Sequence, residues 1–380
     1  MKLLITIISA LLLILQTPIQ AEEELNYDHS DNINFEDLSL KFEVAINTGG
    51  GLSEAQTLLD TYKKTDDLDK KEKILKTLKI ANKLGNSYLH IAAEFGNSDI
   101  IEDTINTFKD DRPDFLNEIL IMQNKEKYNL FHMAAQFRPN VIKTTISALK
   151  DDHTELLEKL MISVDNSGHT FLHNTLWGMS DRVHFTIEAL KDKHINLLKK
   201  VLLSVDDSGH TFLHSASRDI FDHPKVLQKT IDPLKDKHSD LLKELLLSTD
   251  NTGGTFLHSA AESHSGDLPD IIKISCNMFK DNHSQFLKSL LMSVDNSGHT
   301  FLHRSAIYND TSYIDFVHQN LKQNLDAQFI DDTQLFSLKN RAYYRILNSI
   351  ENSKSFLYDS MMFVFIDVPI KFMVFIIDLW

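Results

Sequence analysis

The stretch Tyr88-Leu-His-Ile-Ala-Ala is the first of six variants of one short phrase, and this phrase decides the fold. The others read Leu130-Phe-His-Met-Ala-Ala, Phe171-Leu-His-Asn-Thr-Leu, Phe212-Leu-His-Ser-Ala-Ser, Phe256-Leu-His-Ser-Ala-Ala and Phe301-Leu-His-Arg-Ser-Ala. Their histidines, spaced by 42, 41, 41, 44 and 45 residues, are His90, His132, His173, His214, His258 and His303. A near-fixed period of this size predicts a stack of structural units, each covering its neighbour's apolar face.

Each period contains signals for a turn followed by helices. In the unit 165–205, Asp165-Asn-Ser-Gly168 predicts a turn in which the glycine supplies a positive φ. Thr170 is placed to cap a first helix, a second helix is predicted around Ile187, and a third amphipathic segment around Leu198. The pattern therefore predicts an all-α repeat solenoid.

The stretch from Asn82 to Glu102 carries a closer resemblance. It resembles an ankyrin repeat, whose pattern has an Asn/Asp turn, a Gly, Thr-Pro-Leu-His-x-Ala-Ala, a second Gly and an Ile/Val pair. The six units in register cover about two thirds of the chain, a length typical of a repeat array. The resemblance implies a concave surface that binds other proteins. It also implies that the motif histidines join neighbouring turns through hydrogen bonds to hydroxyl and backbone groups.

The sequence departs from the ankyrin pattern in two ways. The proline of the motif is replaced by Tyr88, Leu130, Phe171, Phe212, Phe256 and Phe301. The preset φ of proline at the start of the helix is therefore lost, and the aromatic rings among these residues must be packed instead. The period exceeds the usual length of about 33 residues by roughly 8 to 12, and the extra length falls in the third segment. Each unit is therefore expected to be a three-helix variant, or an ankyrin pair whose return loop has become helical.

Five regions are expected along the chain. They are a signal peptide (1–21), an acidic segment with a helical cap (22–81), six ankyrin-like repeats (82–330), a second helical cap (331–359) and a hydrophobic tail (360–380). In the cap, a helix is predicted from Phe35 to Ile46 and a helical, lysine-rich pattern from Leu52 to Leu84.

The leader has the parts of a secretory signal. Lys2 provides a positive start, residues 3–15 are almost entirely apolar, and Ala21 is a small residue before an acidic run. The alternative is a short N-terminal membrane anchor, for which this apolar run is short. We expect the chain to be exported to a periplasm or secreted.

The tail is very apolar, yet it makes a poor membrane-spanning helix. Asp367, Lys371 and Asp378 are charged and Pro369 interrupts it, and each buried charge costs about 2.5–3.5 kcal/mol on insertion scales. It is expected to pack on the last repeat, to contact a membrane, or to dock on a partner or another copy.

Composition and motifs exclude several functions. A net charge of -15 without a Lys/Arg cluster argues against nucleic acid, whose phosphates require cationic neutralisation. Cys276 is the sole cysteine, so no intramolecular disulfide can form. The chain has no nucleophile elbow and no phosphate-binding glycine loop. We therefore predict a protein that is not an enzyme and needs no cofactor.

The histidine content of 18 raises the alternative of a metal-binding exported protein. His169/His173, His210/His214 and His299/His303 have a spacing of four residues, which suits zinc when both lie on one helical face. Three of the six units lack the first histidine, however, and that residue is expected in the turn before the helix. We therefore interpret these histidines as structural or surface residues and predict no metal.

The variable positions of the repeats are the candidate partner-binding residues. The turn positions are Tyr128, His169, His210 and His299, and the first-helix positions are Trp177, Arg218, Glu262 and Tyr308. Trp, Tyr and Arg dominate binding energy when desolvated. Export together with the ankyrin resemblance is similar to interaction proteins of host-associated bacteria, which implies a host protein as the unknown partner. The alternative is a scaffold tethered to a membrane by residues 360–380.

Overall fold

The computed structural model describes residues 34–135, 138–173, 179–218, 223–262, 270–271, 273–275 and 284–308. Several predicted features lie outside these residues: the leader 1–21, Trp177, Cys276, the second cap 331–359 and the tail 360–380. The side chain of Tyr308 lies outside them too.

Three helices precede the first motif histidine: α1 (Phe35–Asn47), α2 (Leu52–Lys64) and α3 (Leu68–Leu78). The side chain of Asn34 caps α1 by accepting the N–H of Glu36, and that of Asp67 caps α3 by accepting the N–H groups of Asp69 and Lys70. The helical pattern predicted from residue 52 to 84 is thus divided between two helices and ends earlier than predicted. It breaks before the Asp67 cap and ends at Leu78, because residues 82–86 form a turn.

The first three repeats follow in the expected order. Repeat 1 contains α4 (Tyr88–Phe95), α5 (Ser98–Phe108) and α6 (Pro113–Leu120); repeat 2 contains α7 (Leu130–Ala135), α8 (Pro139–Leu149) and α9 (Thr154–Ile162); repeat 3 contains α10 (Met179–Leu190) and α11 (Ile195–Leu202). In repeat 3 the described residues Phe171–His173 form a turn.

The remaining described helices belong to repeats 4 to 6. Repeat 4 contains α12 (Phe212–Arg218), α13 (His223–Leu234) and α14 (Ser239–Leu246); repeat 5 contains α15 (Phe256–Glu262) and α16 (Ser284–Leu291); repeat 6 contains α17 (Phe301–Tyr308). The fold of the described residues is an all-α repeat solenoid.

A separate third helix accounts for the long period. In repeats 1 to 5 it is α6, α9, α11, α14 and α16, which confirms the predicted extra helical segment. In repeats 2 to 4 the residue before this helix is His153, His194 or His238, and its N–H donates to the last turn of the second helix at 2.9 Å. The second and third helices are therefore joined by a tight connection.

In the stack, equivalent helices of neighbouring repeats pack against each other. First helices contact first helices, as α4 does α7 and α12 does α15, while second helices form a parallel layer in which α8 contacts α10 and α10 contacts α13. The rings that replace the motif proline are fully packed: Tyr88, Phe171 and Phe301 are 0% exposed and Phe212 and Phe256 are 1% exposed. Burying a side chain of this size contributes about 1.5–3 kcal/mol.

The N-terminal helices continue this stack. Helix α2 contacts α5, the second helix of repeat 1, and the ring of Phe42 in α1 meets that of Tyr88 at 6.3 Å. Tyr62 in α2 packs on Phe108 in α5 at 4.9 Å. Helices α1 to α3 thus form a three-helix unit without the histidine motif. None of the helices in the described ranges is long and apolar enough to span a membrane.

Candidate functional site

Five motif histidines, those of repeats 1 to 5, each join two neighbouring repeats. The Nδ1 atom of His214 lies 3.2 Å from the backbone N of Thr211 and 2.9 Å from its hydroxyl oxygen, at the start of α12. Its Nε2 atom lies 3.1 Å from the carbonyl oxygen of Gly254 in the next repeat. Equivalent Nε2 bonds of 2.8, 3.0, 2.8 and 3.0 Å run from His90, His132, His173 and His258 to the carbonyls of Tyr128, His169, His210 and His299.

These bonds require a neutral imidazole. Because Nε2 must donate to a carbonyl, it carries the proton, and Nδ1 accepts the backbone N–H. Burial lowers the pKa of His90, His173, His214 and His303 to about 4, and burial also lowers the pKa of His132 and His258.

The turns that precede the motif are built around one side-chain oxygen. Oδ1 of Asp206 accepts the N–H groups of Ser208 and His210, both at 2.8 Å. The same pair of bonds is made by Asn82, Asn124, Asp165, Asp250 and Asp295. Asn and Asp are equivalent here because both present an acceptor oxygen two bonds from Cβ.

Glycine lets adjacent turns approach closely. Gly209 has a φ of +78°, and a Cβ at this position would lie 2.8 Å from the backbone N of Asn251 in the next turn. That N–H donates to the carbonyl of Ser208 at 3.0 Å. The turns are therefore linked by main-chain bonds, and their variable side chains are presented in a row.

Four of the predicted partner residues form a row of rings along the turns: Tyr128, His169, His210 and His299. We call them the ring row. Each ring lies over the motif histidine of its own repeat, with ring centroids 5.6, 5.9, 5.6 and 5.7 Å apart. The structure thus brings together these predicted residues and holds each ring by its backbone and by stacking.

Carboxylates alternate with the rings in the middle of this row. Both ring nitrogens of His169 lie 3.4 Å from a carboxylate oxygen, Nδ1 from Asp165 and Nε2 from Asp206. His210 lies between Asp206 at 3.4 Å and Asp250 at 3.5 Å. Burial raises the pKa of the Asp206 carboxyl, but the N–H donors of His210 and Ser208 outweigh it, so the pKa lies below its usual value.

Repeat 5 has no ring in this row, and an arginine from repeat 6 takes its place. Gly254 occupies the ring position, and the guanidinium of Arg304 lies beside it. Arg304 donates to Asp295 at 2.8 Å, to Thr252 at 2.9 Å and to Glu262. Sequence analysis missed Arg304, because Gly254 at the ring position of repeat 5 shows that a ring is lacking there but not which side chain fills the space.

The structure places two of the four predicted first-helix residues in contact with each other and does not do so for the other two. Arg218 and Glu262 contact each other, with Nη2 and Oε2 3.6 Å apart; the Arg218 side chain is half-exposed and that of Glu262 is mostly covered. Trp177 lies outside the described residues. Tyr308 ends α17, but the register of the motif puts Ile307, not Tyr308, at the position of Arg218.

Two exposed apolar residues of repeat 1 were also missed. Leu84, in the turn before the motif, is 64% exposed, and Phe95, at the end of α4, is 61% exposed. The turns of the later repeats have Glu126, Ser167, Ser208, Thr252 and Ser297 at the position of Leu84. An apolar residue at a turn position that is polar in the later repeats was the signal that could have identified Leu84.

The histidine pairs do not lie on one helical face. His169 precedes Thr170, the residue whose hydroxyl pairs with His173, so the first histidine of the pair belongs to the turn. Both nitrogens of His173 are already in hydrogen bonds. Among the residues that the structure describes, no group of three or more His, Cys, Asp or Glu could hold a metal ion.

Comparison with known proteins gives a structural similarity without a match in sequence. No family model matches the chain, and no curated protein matches its sequence. The structure is similar to the crystal structure of the ankyrin repeat domain of Bcl-3, described as a unique member of the IkappaB protein family. The identity is 15% over 73% of this chain and 97% of that chain, with a TM-score of 0.43. We therefore assign the fold from the helices and hydrogen bonds of this chain, and not from this similarity.

Proposed function

We propose that this repeat stack is a protein-binding module and that the ring row is the centre of its contact surface. One observation carries this proposal: in repeats 1 to 5 both ring nitrogens of the motif histidine are in hydrogen bonds, while the side chain four residues before that histidine, the position of His210, varies. Repetition of a fixed backbone with variable, partly exposed side chains is how solenoids build binding surfaces. Aromatic and arginine side chains on such a surface provide most of the binding energy.

Leu84 and Phe95 extend this surface at repeat 1. Exposed large apolar side chains next to polar ones are typical of protein contact sites. The carboxylates between the rings and the net charge of -15 favour a partner with a basic surface. Such complementarity speeds encounter more than it raises affinity.

The test starts from peptides selected by phage display against the full chain. We expect selected peptides to carry Lys or Arg beside an aromatic or aliphatic residue. Replacing Tyr128 and His169 with Ala, or Leu84 and Phe95 with Ser, is expected to weaken their binding at least tenfold in fluorescence anisotropy.

The matched control uses the groove between α5 and α8. This open groove of about 650 Å³ is lined by polar side chains that include Glu102, Asn106 and Lys143. Asn106→Ala and Lys143→Ala are expected to leave peptide binding unchanged. Peptides whose affinity depends on the groove variants and not on the ring row would overturn the proposal.

We also propose that the chain is exported and that its partner lies outside the exporting cell, as the leader at residues 1–21 and the resemblance stated above predict. Expression with and without residues 1–21, followed by fractionation, tests this. Equal retention of both forms in the cytoplasm contradicts export.

A further inference from the structure

A row of apolar side chains follows the repeats where each third helix ends and the next turn begins. The first set lies three residues before the Asn or Asp of the turn: Ile121, Ile162, Leu203, Leu247 and Met292. The second set directly precedes the Asp: Val164, Val205 and Val294. We call these eight residues the apolar edge.

The apolar edge is exposed at regular intervals. Val164, Val205 and Val294 are 40%, 49% and 54% exposed, and Ile121 and Leu247 are 38% and 37% exposed. Leu203 and Met292 are partly buried against the core. Exposed apolar side chains that recur along one line of a repeat stack are candidates for a contact site.

Four hydroxyls within the edge are bonded to the chain's own carbonyls. The hydroxyls of Ser163, Ser204 and Ser248 donate to carbonyls four residues back, at 2.6, 2.7 and 2.9 Å. Ser293 makes a similar bond to Leu290 at 2.8 Å. Because these hydroxyls already have a partner, covering the edge leaves none of them unsatisfied.

We propose that residues 360–380 of this same chain cover the apolar edge. Apart from Ser360, Asp367, Pro369, Lys371 and Asp378, every residue of this segment is apolar. Its charges and its proline make lipid a costly environment, whereas an exposed apolar edge on the same chain lets the charged side chains remain in water. Burial of the valines and isoleucines on both sides supplies the driving force.

The segment is long enough to reach the edge. The apolar edge spans repeats 2 to 6, and neighbouring helices pack about 8–10 Å apart, so its length is on the order of 40 Å. Residues 309–359 connect α17 to the segment. Even at a helical rise of 1.5 Å per residue, a connection of that length reaches about 75 Å. The attachment to repeat 6 also makes the contact intramolecular, which raises the effective concentration of the segment.

Trp380 makes this contact measurable. The chain has two tryptophans, Trp177 and Trp380, so Trp177→Phe leaves a single reporter inside the segment. In this full-length background we expect emission at short wavelength and a several-fold reduction in acrylamide quenching relative to free tryptophan. Val164→Asp with Val205→Asp is expected to shift the emission to that of exposed tryptophan and to restore quenching.

Two controls keep the outcome interpretable. Asn106→Asp with Ser147→Asp adds the same charge to the groove between α5 and α8 and is expected to leave the emission unchanged. The milder pair Val164→Thr with Val205→Thr, with circular dichroism as the check on folding, is expected to give a smaller shift in the same direction.

Four results would overturn the proposal. Trp380 fully exposed in the parent protein, or protected but insensitive to both edge variants, excludes the contact. Protection that is lost on dilution assigns the edge to a second copy. Protection that arises only with phosphatidylcholine/phosphatidylglycerol vesicles assigns the segment to lipid.

Discussion

His210 and His214 lie four residues apart in the same repeat, yet the structure uses them in different ways. His214 is 0% exposed and both of its ring nitrogens are in hydrogen bonds that connect repeats 4 and 5. His210 keeps part of its ring at the surface and faces the carboxylates of Asp206 and Asp250. The contacts of a repeated histidine, and not its spacing, therefore decide whether it holds the stack together or is available for binding.

The largest expected effect is the loss of stability in acid. The motif histidines have folded-state pKa values lowered to about 4 in His90, His173, His214 and His303, against 6.5 in the unfolded chain. The unfolded state therefore binds more protons below pH 6.5. Stability is fully present above pH 6.5 and is lost as the pH falls towards 4, by about 1.4 kcal/mol per pH unit for each such histidine.

The measurement is a set of urea titrations at pH 7.5, 6.0 and 5.0, followed by circular dichroism. We expect the urea midpoint to fall steeply between pH 6.0 and 5.0. His214→Gln removes one group with a lowered pKa and is expected to reduce the steepness. A midpoint that is constant from pH 7.5 to 5.0 would break the distinction between the two kinds of histidine.

The next largest effect is expected from single substitutions at pH 7.5. His214→Ala leaves the Thr211 N–H and the Gly254 carbonyl buried without their partner, at a cost of about 3 kcal/mol in the free energy of unfolding. His210→Ala keeps its main-chain carbonyl, which accepts from His173 at 2.8 Å, so a loss of about 1 kcal/mol or less is expected. If urea unfolding shows the same loss in the free energy of unfolding for both variants, the two histidines do not differ in their contribution to stability.

A smaller effect is expected when the charge between the rings is removed and the turn is kept. Asp206→Asn retains the Oδ1 acceptor, as Asn82 and Asn124 do in their own turns, but removes the negative charge beside His169 and His210. We expect a cost of about 1 kcal/mol, since hydrogen bonds to a charged acceptor are stronger than neutral ones. Asp206→Ala, which removes the turn bonds as well, is expected to cost about twice as much. Identical urea midpoints for the two variants would show that the turn bonds are not needed.

The stack could be predicted from the sequence because each repeat carries its own local signals. The turn glycine, the cap residue and the motif histidine recur at one period, and the third helix was read from the apolar positions around Leu198. The unit formed by α1 to α3 was not recognised as a repeat. Its sequence lacks the motif histidine and the turn glycine, and its contacts through Phe42 and Tyr62 show that it continues the stack.

Site residues could be predicted only where their position depends on the sequence of a single repeat, and not on the packing between repeats. The ring row followed from the register of the turns. The pairing of Arg304 with Asp295 and Glu262 could not be foreseen, because it depends on how repeat 6 sits against the gap at Gly254. The exposure of Leu84 and Phe95 likewise depends on which faces the neighbouring repeat leaves open.

The smallest effect is expected at the connection between the second and third helices, where a third set of histidines lies in Lys-Asp-x-His sequences. Lys237 pairs with Asp192 of the preceding repeat at 3.3 Å, but the two side chains are 75% and 61% exposed. Exposed ion pairs contribute little because water and salt screen them, so Lys237→Ala is expected to change the free energy of unfolding by less than about 0.5 kcal/mol. The same pair recurs one repeat earlier, between Lys193 and Asp151. If Lys237→Ala destabilised the chain as much as His214→Ala in the same urea titration, periodic recurrence rather than burial would set the energy of a contact in this stack.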